Sequence, residues 1–212
     1  MRKLTSVDQL IINFDHSLRT LFGQPLNTAR PHPAQAVEET ELTETEKELS
    51  ARLMRINHAG EVSAQALYQG QALFAHTQTV RENMKQSAFE ENDHLVWCQN
   101  RIEVLDGHTS YLNPLWYTGS YMIGAIAGAA GDKWSLGFVA ETERQVVNHL
   151  DEHLQRLPPA DLKSKAILEQ MKEDEGHHAT VAIKTGAIPL PKSVCWLMGE
   201  VSKVMTKTTY WI

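Results

Sequence analysis

The sequence predicts an all-α protein: a four-helix bundle with one long crossover connection and an additional amphipathic helix at each end. Three observations carry that expectation. Apolar residues recur every three or four positions through four long stretches, β-branched alternation is almost absent, and proline and glycine punctuate the ends of the stretches. At 212 residues and 42% hydrophobic, the chain is long enough for one well-buried core and short for two, so residues 1–212 are read as one domain.

Residues 1–23 read as an amphipathic helix. Val7, Leu10, Ile11, Phe14, Leu18, Leu21 and Phe22 recur at helical spacing, Ser6 and Gln9 suit a capping box, and Gly23 ends it. Asp8, Gln9, Asp15 and His16 interrupt any apolar run, which argues against a signal peptide. Residues 24–42 hold Pro25, Pro31 and Pro33 among polar residues and read as a surface linker. The bundle then occupies residues 43–186. Thr45 and Glu48 suit a capping box for a helix reaching about residue 76. A second helix covers roughly 80–105, and a third runs from about 133 to 157, before Pro158 and Pro159. The fourth covers about 161–185, with Gly186 as its C-terminal stop. Residues 187–212 read as a C-terminal amphipathic helix. Its apolar stripe is Val194, Leu197, Met198, Val201, Val204, Met205, Thr208 and Ile212, with Lys203 and Lys207 outside.

The connection between the second and third bundle helices is long, as an up-down-down-up bundle requires. From Gly107 to Gly131 it contains no Asp, Glu, Lys or Arg. Its apolar part is too short and too diluted by Asn113, Pro114, Thr118 and Ser120 to span a bilayer. Two readings remain: a buried crossover with small residues for close packing, or a membrane-interface segment with Trp116, Tyr117 and Tyr121 at headgroup depth. The net charge of −6 and pI near 5.9 argue against a nucleic-acid surface. Cys98 and Cys195 are far apart and in no CxxC pattern, which excludes a disulfide scaffold and a zinc ribbon.

The stretch 171-MKEDEGHHATVA-182 offers several acid–histidine pairings, and helix phase separates them. The apolar seam of the fourth bundle helix runs Leu168, Met171, 175, 178, Ala182, Thr185, so Glu175 and His178 continue the inward stripe. Glu173 and His177 lie far from it, and Asp174 sits at its edge. A carboxylate and an imidazole in a core seam demand a reason, because burying an unpaired charge is very costly. The second helix repeats the anomaly. Its seam of Met84, Ala88, 91, Leu95, Cys98, Ile102 and Leu105 places Glu91 inward with His94 beside it, while Glu90 and Asp93 fall outside. Each ExxH is preceded by a lone acid in the seam of the helix before it. Glu61 shares a face with Met54, Ala64 and Tyr68; Glu143 lies among Leu136, Val139, Val146, Val147 and Leu150, with Glu141 nearly opposite.

Glu61 precedes Glu91 by 30 residues and Glu143 precedes Glu175 by 32, an internal repeat of two helix pairs. Glu61, Glu91, His94, Glu143, Glu175 and His178 thus match the ligand pattern of dinuclear carboxylate bundles, and four carboxylates neutralise two divalent cations. Oxygen and imidazole ligands without thiolate suit iron or manganese better than structural zinc. Glu91 and Glu175 are the most natural bridges, with Glu61 and Glu143 terminal, but the sequence leaves bridging and terminal roles open. His149 and His153 read as helix-surface or supporting groups rather than ligands. Tyr68 is placed to hydrogen-bond a ligand, Asp93 and Asp174 to orient an imidazole across the bundle, and Cys98 reads as a small buried hydrophobe. Asn57 and His58, near the turn of Glu61, carry no reading.

RINHAGE, EENDH, PLW before the glycine-rich crossover, GFVAETE and EDEGHH together resemble the demethoxyubiquinone hydroxylase family of ubiquinone biosynthesis, bacterial type. The resemblance covers about residues 45–212, including all six ligand positions. It implies a ferritin-like bundle holding two iron ions, with O2 as co-substrate. The implied reaction hydroxylates a polyprenylated methoxy-methyl-benzoquinol, a demethoxyubiquinol. It further implies peripheral attachment to the cytoplasmic side of the cell membrane and admits contact with other ubiquinone-biosynthesis proteins. Alternatives on the same bundle are an iron-storage protein, a di-metal peroxidase or catalase, and a membrane-surface bundle with a structural metal.

Overall fold

The computed structural model describes residues 6–23, 25, 26, 28 and 30–212. Among the described residues there are seven helices and no strand: α1 (Ser6–Phe22), α2 (Glu44–Phe74), α3 (Gln78–Val104), α4 (Asn113–Ala129), α5 (Asp132–Arg156), α6 (Leu162–Thr185) and α7 (Lys192–Thr209). The bundle consists of α2, α3, α5 and α6, and α4 is the crossover. The side chains of Ser6 and Gln9, the expected cap of α1, lie outside the described residues.

Side-chain pairs give the helix directions. Asn83–Thr185, His94–Asp174, Cys98–Met171 and Arg101–Ser164 run in opposite order along α3 and α6. Asn57–His153, Tyr68–Glu143 and Gln71–Ser135 do the same for α2 and α5. The bundle is therefore up-down-down-up. One cap differs from expectation: Thr43, not Thr45, opens α2. Its Oγ1 accepts from Glu46 N at 3.3 Å while Glu46 Oε2 accepts from Thr43 N at 2.9 Å. The repeat TETEKE offers the motif twice, and the earlier register adds two residues to an amphipathic helix.

The crossover α4 runs parallel to α2 along its outer side, and glycines set how close the two backbones come. A Cβ on Gly70 would fall within 3.0 Å of Tyr121 O, and one on Gly124 within 3.0 Å of Leu67 O. Overpacking costs about 1–3 kcal/mol, so Gly124→Ala should lower the thermal midpoint by several degrees; an unchanged midpoint would mean that α4 does not pack as described. The buried-crossover reading of α4 holds for one side of the helix. Gly124 and Gly128 are buried, while Leu115, Met122 and Ile126 are 60–69% exposed on the opposite side. The aromatic expectation does not hold. Tyr117 is buried, donating to Gln69 Oε1 at 2.6 Å, and Trp116 Nε1 donates to Thr209 Oγ1 at 3.1 Å. Their polar atoms are spent inside the fold.

The C-terminal stripe splits in a similar way. Met205 turns inward, its Sδ 3.5 Å from Ser63 Oγ, while Leu197, Val201 and Val204 face outward. The segment expected as a surface linker is a strap packed on the bundle. Ala34 is buried in the main apolar cluster, and Glu39 takes both oxygens to Arg101 Nη1 at 2.8 and 3.0 Å. Proline prevents helix here but not burial, and a buried guanidinium needs anionic partners.

Candidate metal centre

The six expected ligands meet at mid-bundle between two apolar clusters, one around Met54, Leu168 and Met171 and the other around Ala64, Tyr68, Val139 and Ala182. Each is at most 4% exposed. Their donor atoms form two groups: Glu61, Glu91, His94 and Glu175, then Glu91, Glu143, Glu175 and His178, each with its donor atoms within 4.8 Å of one another. Glu91 and Glu175 belong to both groups; Glu61 and Glu143 belong to one each. A helix turn accounts for each ExxH, since residues three apart share a face and the antiparallel contact of α3 with α6 brings the two motifs together.

Both histidines turn Nδ1 toward the cluster. His94 Nδ1 lies 2.9 Å from Glu91 Oε2, 3.1 Å from Glu175 Oε1 and 3.6 Å from Glu61 Oε2. His178 Nδ1 lies 3.2 Å from Glu91 Oε1 and 3.2 Å from Glu175 Oε2. The far nitrogens are held from outside: His94 Nε2 sits 3.0 Å from Asp174 Oδ2, and His178 Nε2 sits 2.8 Å from Glu90 Oε2. A carboxylate on one imidazole nitrogen fixes the tautomer and leaves the other nitrogen to ligate.

Asp174 thus does what its position suggested, but Asp93 does not. Asp93 accepts from Thr28 N at 2.7 Å and Arg30 Nε at 2.8 Å, anchoring the strap. Glu90, placed outside the seam by helix phase alone, is the partner of His178. The repeat contained a signal for it: in 90-EENDH-94 and 174-DEGHH-178 the acid before each ExxH serves the histidine of the other motif. Arg30 Nη2 also reaches Asp174 Oδ2 at 2.9 Å, so the strap touches the group that holds His94. Tyr68 OH donates to Glu143 Oε1. His149 and His153 stand apart from the cluster, and His153 is a buried packing group rather than a surface one, its Nδ1 2.8 Å from Asn57 Oδ1. Burial pushes the His58 imidazole down to about 4 and that of His153 to about 2, where His149 adds to the effect. Glu141 is ion-paired to Arg144 at 2.7 Å and His177 is exposed, as phase predicted for both.

The electrostatics show why this cluster suits cations. Burial and neighbouring carboxylates push the Glu61 and Glu143 carboxyls well above the usual carboxylate range. Burial also opposes ionisation of Glu91, but the imidazoles of His94 and His178 outweigh it and hold that carboxyl below the usual range. Conversely, burial disfavours the imidazolium forms of His94 and His178, and the surrounding carboxylates hold both well above the usual imidazole value. Four carboxylates at one buried site balance their charge with protons unless a metal displaces them. Glu91 Oε1 is buried without a well-aligned hydrogen-bond donor, its nearest polar neighbour being His178 Nδ1 at 3.2 Å. The donor set fits a dinuclear oxygen- and imidazole-ligated site of iron or manganese type.

The comparisons agree with this geometry. A structural relative of 18% identity, a dodecameric thioferritin from Bacteroides fragilis, superposes with a TM-score of 0.52 over 69% of this chain and 86% of its own, which places the fold in the ferritin-like class. Curated proteins named 3-demethoxyubiquinol 3-hydroxylase align along the whole length. That of Nitrosococcus oceani is 61% identical over 100% of this chain and 99% of its own. Those of Nitrosomonas eutropha and Acinetobacter baumannii are 55% and 53% identical over at least 99% of both chains. The family model described as "Ubiquinone biosynthesis protein COQ7" matches residues 48–209, a span that contains every residue of the buried cluster, and the chain belongs to that family.

Proposed function

We infer that this chain, an enzyme of ubiquinone biosynthesis, is a 3-demethoxyubiquinol 3-hydroxylase that works through a di-iron centre at Glu61, Glu91, His94, Glu143, Glu175 and His178. One observation carries the reading: two four-residue donor groups that share Glu91 and Glu175. Glu91 and Glu175, common to both donor groups, would be shared by the two ions, while Glu61 and His94 would complete the set for one and Glu143 and His178 the set for the other. When bound, a pair of ferrous ions would supply two electrons to O2, so that one oxygen atom enters the ring and the other leaves with two protons as water. The protein's share is positional. Asp174 and Glu90 hold the imidazoles with Nδ1 inward, and Tyr68 holds Glu143 by donating its phenolic proton. Leu95, Cys98 and Met171 keep water from the centre. Relatives aligned over the full length are named hydroxylases, which favours this reading over storage or peroxidase chemistry on the same bundle. Protein purified anaerobically should carry about two irons per chain. With O2 and a demethoxyquinol it should yield a product heavier by one oxygen atom. One zinc per chain, with no iron uptake under reducing conditions, would overturn the site.

The same reading places the enzyme peripherally on the cytoplasmic face of the cell membrane. No helix among the described residues is long and apolar enough to cross a membrane. Apolar side chains nevertheless crowd the outer surfaces of three neighbouring helices: Phe14 and Phe22 on α1, Met122 and Ile126 on α4, Leu197 and Val204 on α7, each 56–74% exposed. Exposed apolar area on this scale marks an interaction surface, and helices lying in a bilayer interface present such faces. Met122→Glu combined with Ile126→Glu should release the protein from vesicles of anionic phospholipid while its iron content stays unchanged. Equal sedimentation of wild type and variant with the vesicles would argue against this face.

A further inference from the structure

The internal repeat extends past the six clustered residues. On α3, Gln86 Nε2 donates to Glu90 Oε1 at 2.7 Å, and Glu90 holds His178. On α6, Gln170 Nε2 donates to Asp174 Oδ1 at 3.0 Å, and Asp174 holds His94. In each helix a glutamine thus supports the acid four residues on, and that acid serves the histidine of the other helix. The donor groups match as well, each offering three glutamates and one histidine. To this depth the two halves of the centre are alike in kind.

The likeness ends at Arg30. Its Nη2 donates to Asp174 Oδ2 at 2.9 Å, the same oxygen that faces His94 Nε2 at 3.0 Å. Two groups on α3 hold the guanidinium there. Asp93 Oδ2 accepts from Arg30 Nε at 2.8 Å, and the Trp97 ring lies against the guanidinium, 5.1 Å from Cζ to centroid. The Asp93 side chain is 2% exposed, and a carboxylate buried to that degree requires a cation. Neither anchor has a counterpart in the other motif, where the equivalent positions are His177 and Val181. Among the described residues Glu90 makes no ion pair with a lysine or arginine, and the charge of Arg30 reaches it only through space. Arg30 also lies outside residues 48–209, the span matched by the family model, so its role is not part of what that match conveys.

We propose that Arg30 makes the two metal positions electronically unequal, favouring the ferrous form of the ion held by Glu61 and His94 over that of the ion held by Glu143 and His178. The inference rests on the di-iron reading above. Two effects act in the same direction. A fixed positive charge favours the lower charge on a nearby ion. The guanidinium also draws on Asp174, which then accepts less strongly from the His94 Nε2–H and leaves the imidazole a weaker donor to its ion. In the other half Tyr68 gives Glu143 a hydrogen bond, but from a neutral hydroxyl. Hydrogen bonds from charged groups are roughly twice as strong. Arg30 acts through Asp174 and His94, and is a positioning residue.

The test is an anaerobic dithionite titration of the iron-loaded full chain, without quinol, followed by Mössbauer spectroscopy. The wild type should take up its two electrons in separate steps. Arg30→Met should lower the potential of the more easily reduced ion by about 59 mV or more, a tenfold shift in its oxidised-to-reduced ratio, and bring the steps together. Arg30→Lys keeps the charge and should retain most of the separation. Asp174→Asn should move the same ion the opposite way, because an amide oxygen accepts more weakly from His94 and carries no charge. A purely structural role for the strap does not produce shifts of opposite sign. Unchanged potentials in Arg30→Met, or shifts of one sign in Arg30→Met and Asp174→Asn, would sink the proposal. If Arg30→Met fails to fold, an Asp174→Asn potential that does not rise is enough to reject it. Potentials that behave as described, in protein with two irons that does not hydroxylate a demethoxyquinol, would support the role of Arg30 and overturn the hydroxylase reading instead.

Discussion

Replacing Glu143 by alanine is expected to abolish hydroxylation, while the same change at Glu141, two residues away, leaves turnover nearly normal. Glu143 is 2% exposed, holds the Tyr68 hydroxyl and belongs to the group completed by His178. On the proposed assignment its loss removes a ligand and one of four charges that would balance the metals. Losses of groups that only support a ligand cost about 10–100-fold in affinity or activity, so loss of a ligand should exceed that. Glu141 instead is half-buried, pairs with Arg144, whose side chain is 59% exposed, and accepts from Gln145 Nε2 at 2.6 Å. Removing an ion pair of that kind costs about 0.2–1 kcal/mol of stability. The same contrast should separate His178 from His177. Assays of the four alanine variants, each checked for iron, decide the matter. An essential Glu141 or His177 beside a dispensable Glu143 or His178 would refute the assignment.

The acids common to both donor groups, proposed as bridges, should behave differently from those in a single group. Glu175→Ala or Glu91→Ala takes a donor from both four-residue groups, whereas Glu61→Ala takes one from a single group. Iron content should therefore fall from about two per chain toward none in the first pair and toward one in the second. Thermal stability in the presence of Fe(II) should follow the same order, because metal bound only by the folded state adds its binding free energy to stability. Equal iron losses in Glu61→Ala and Glu175→Ala, measured on anaerobically loaded protein, would remove the distinction between bridging and terminal carboxylates.

The helices were legible because their signals are local. Residues that end α3, α5 and α6, namely Gly107, Pro158 and Gly186, act within one turn of themselves, and predicted ends fall within two residues of those observed. The six clustered residues were legible for a related reason. Helix phase is fixed at 100° per residue, so an acid or histidine in an apolar seam can be recognised without knowing what it faces. Thr43 shows the limit of local reading: two overlapping capping boxes look alike until the helix start is seen.

What lay beyond the sequence concerns neighbours across helices. Glu90 falls outside the seam by its phase on α3, yet α6 brings His178 Nε2 to within 2.8 Å of it. Arg30, in a proline-rich stretch that reads as linker, reaches Asp93 and Asp174, 63 and 144 residues away in the chain. Trp116 and Tyr117 read as interfacial aromatics, and the packing of α4 against α2 and α7 spent their polar atoms instead. By itself the sequence determined the helices, their apolar seams and the six anomalous residues within them, because each depends on dihedral geometry that repeats every 3.6 residues. Only the tertiary structure decided which carboxylates are shared between donor groups, which acids hold the imidazoles and where Arg30 docks. Those depend on the rotation and offset of one helix against another, and packing over the whole core sets both.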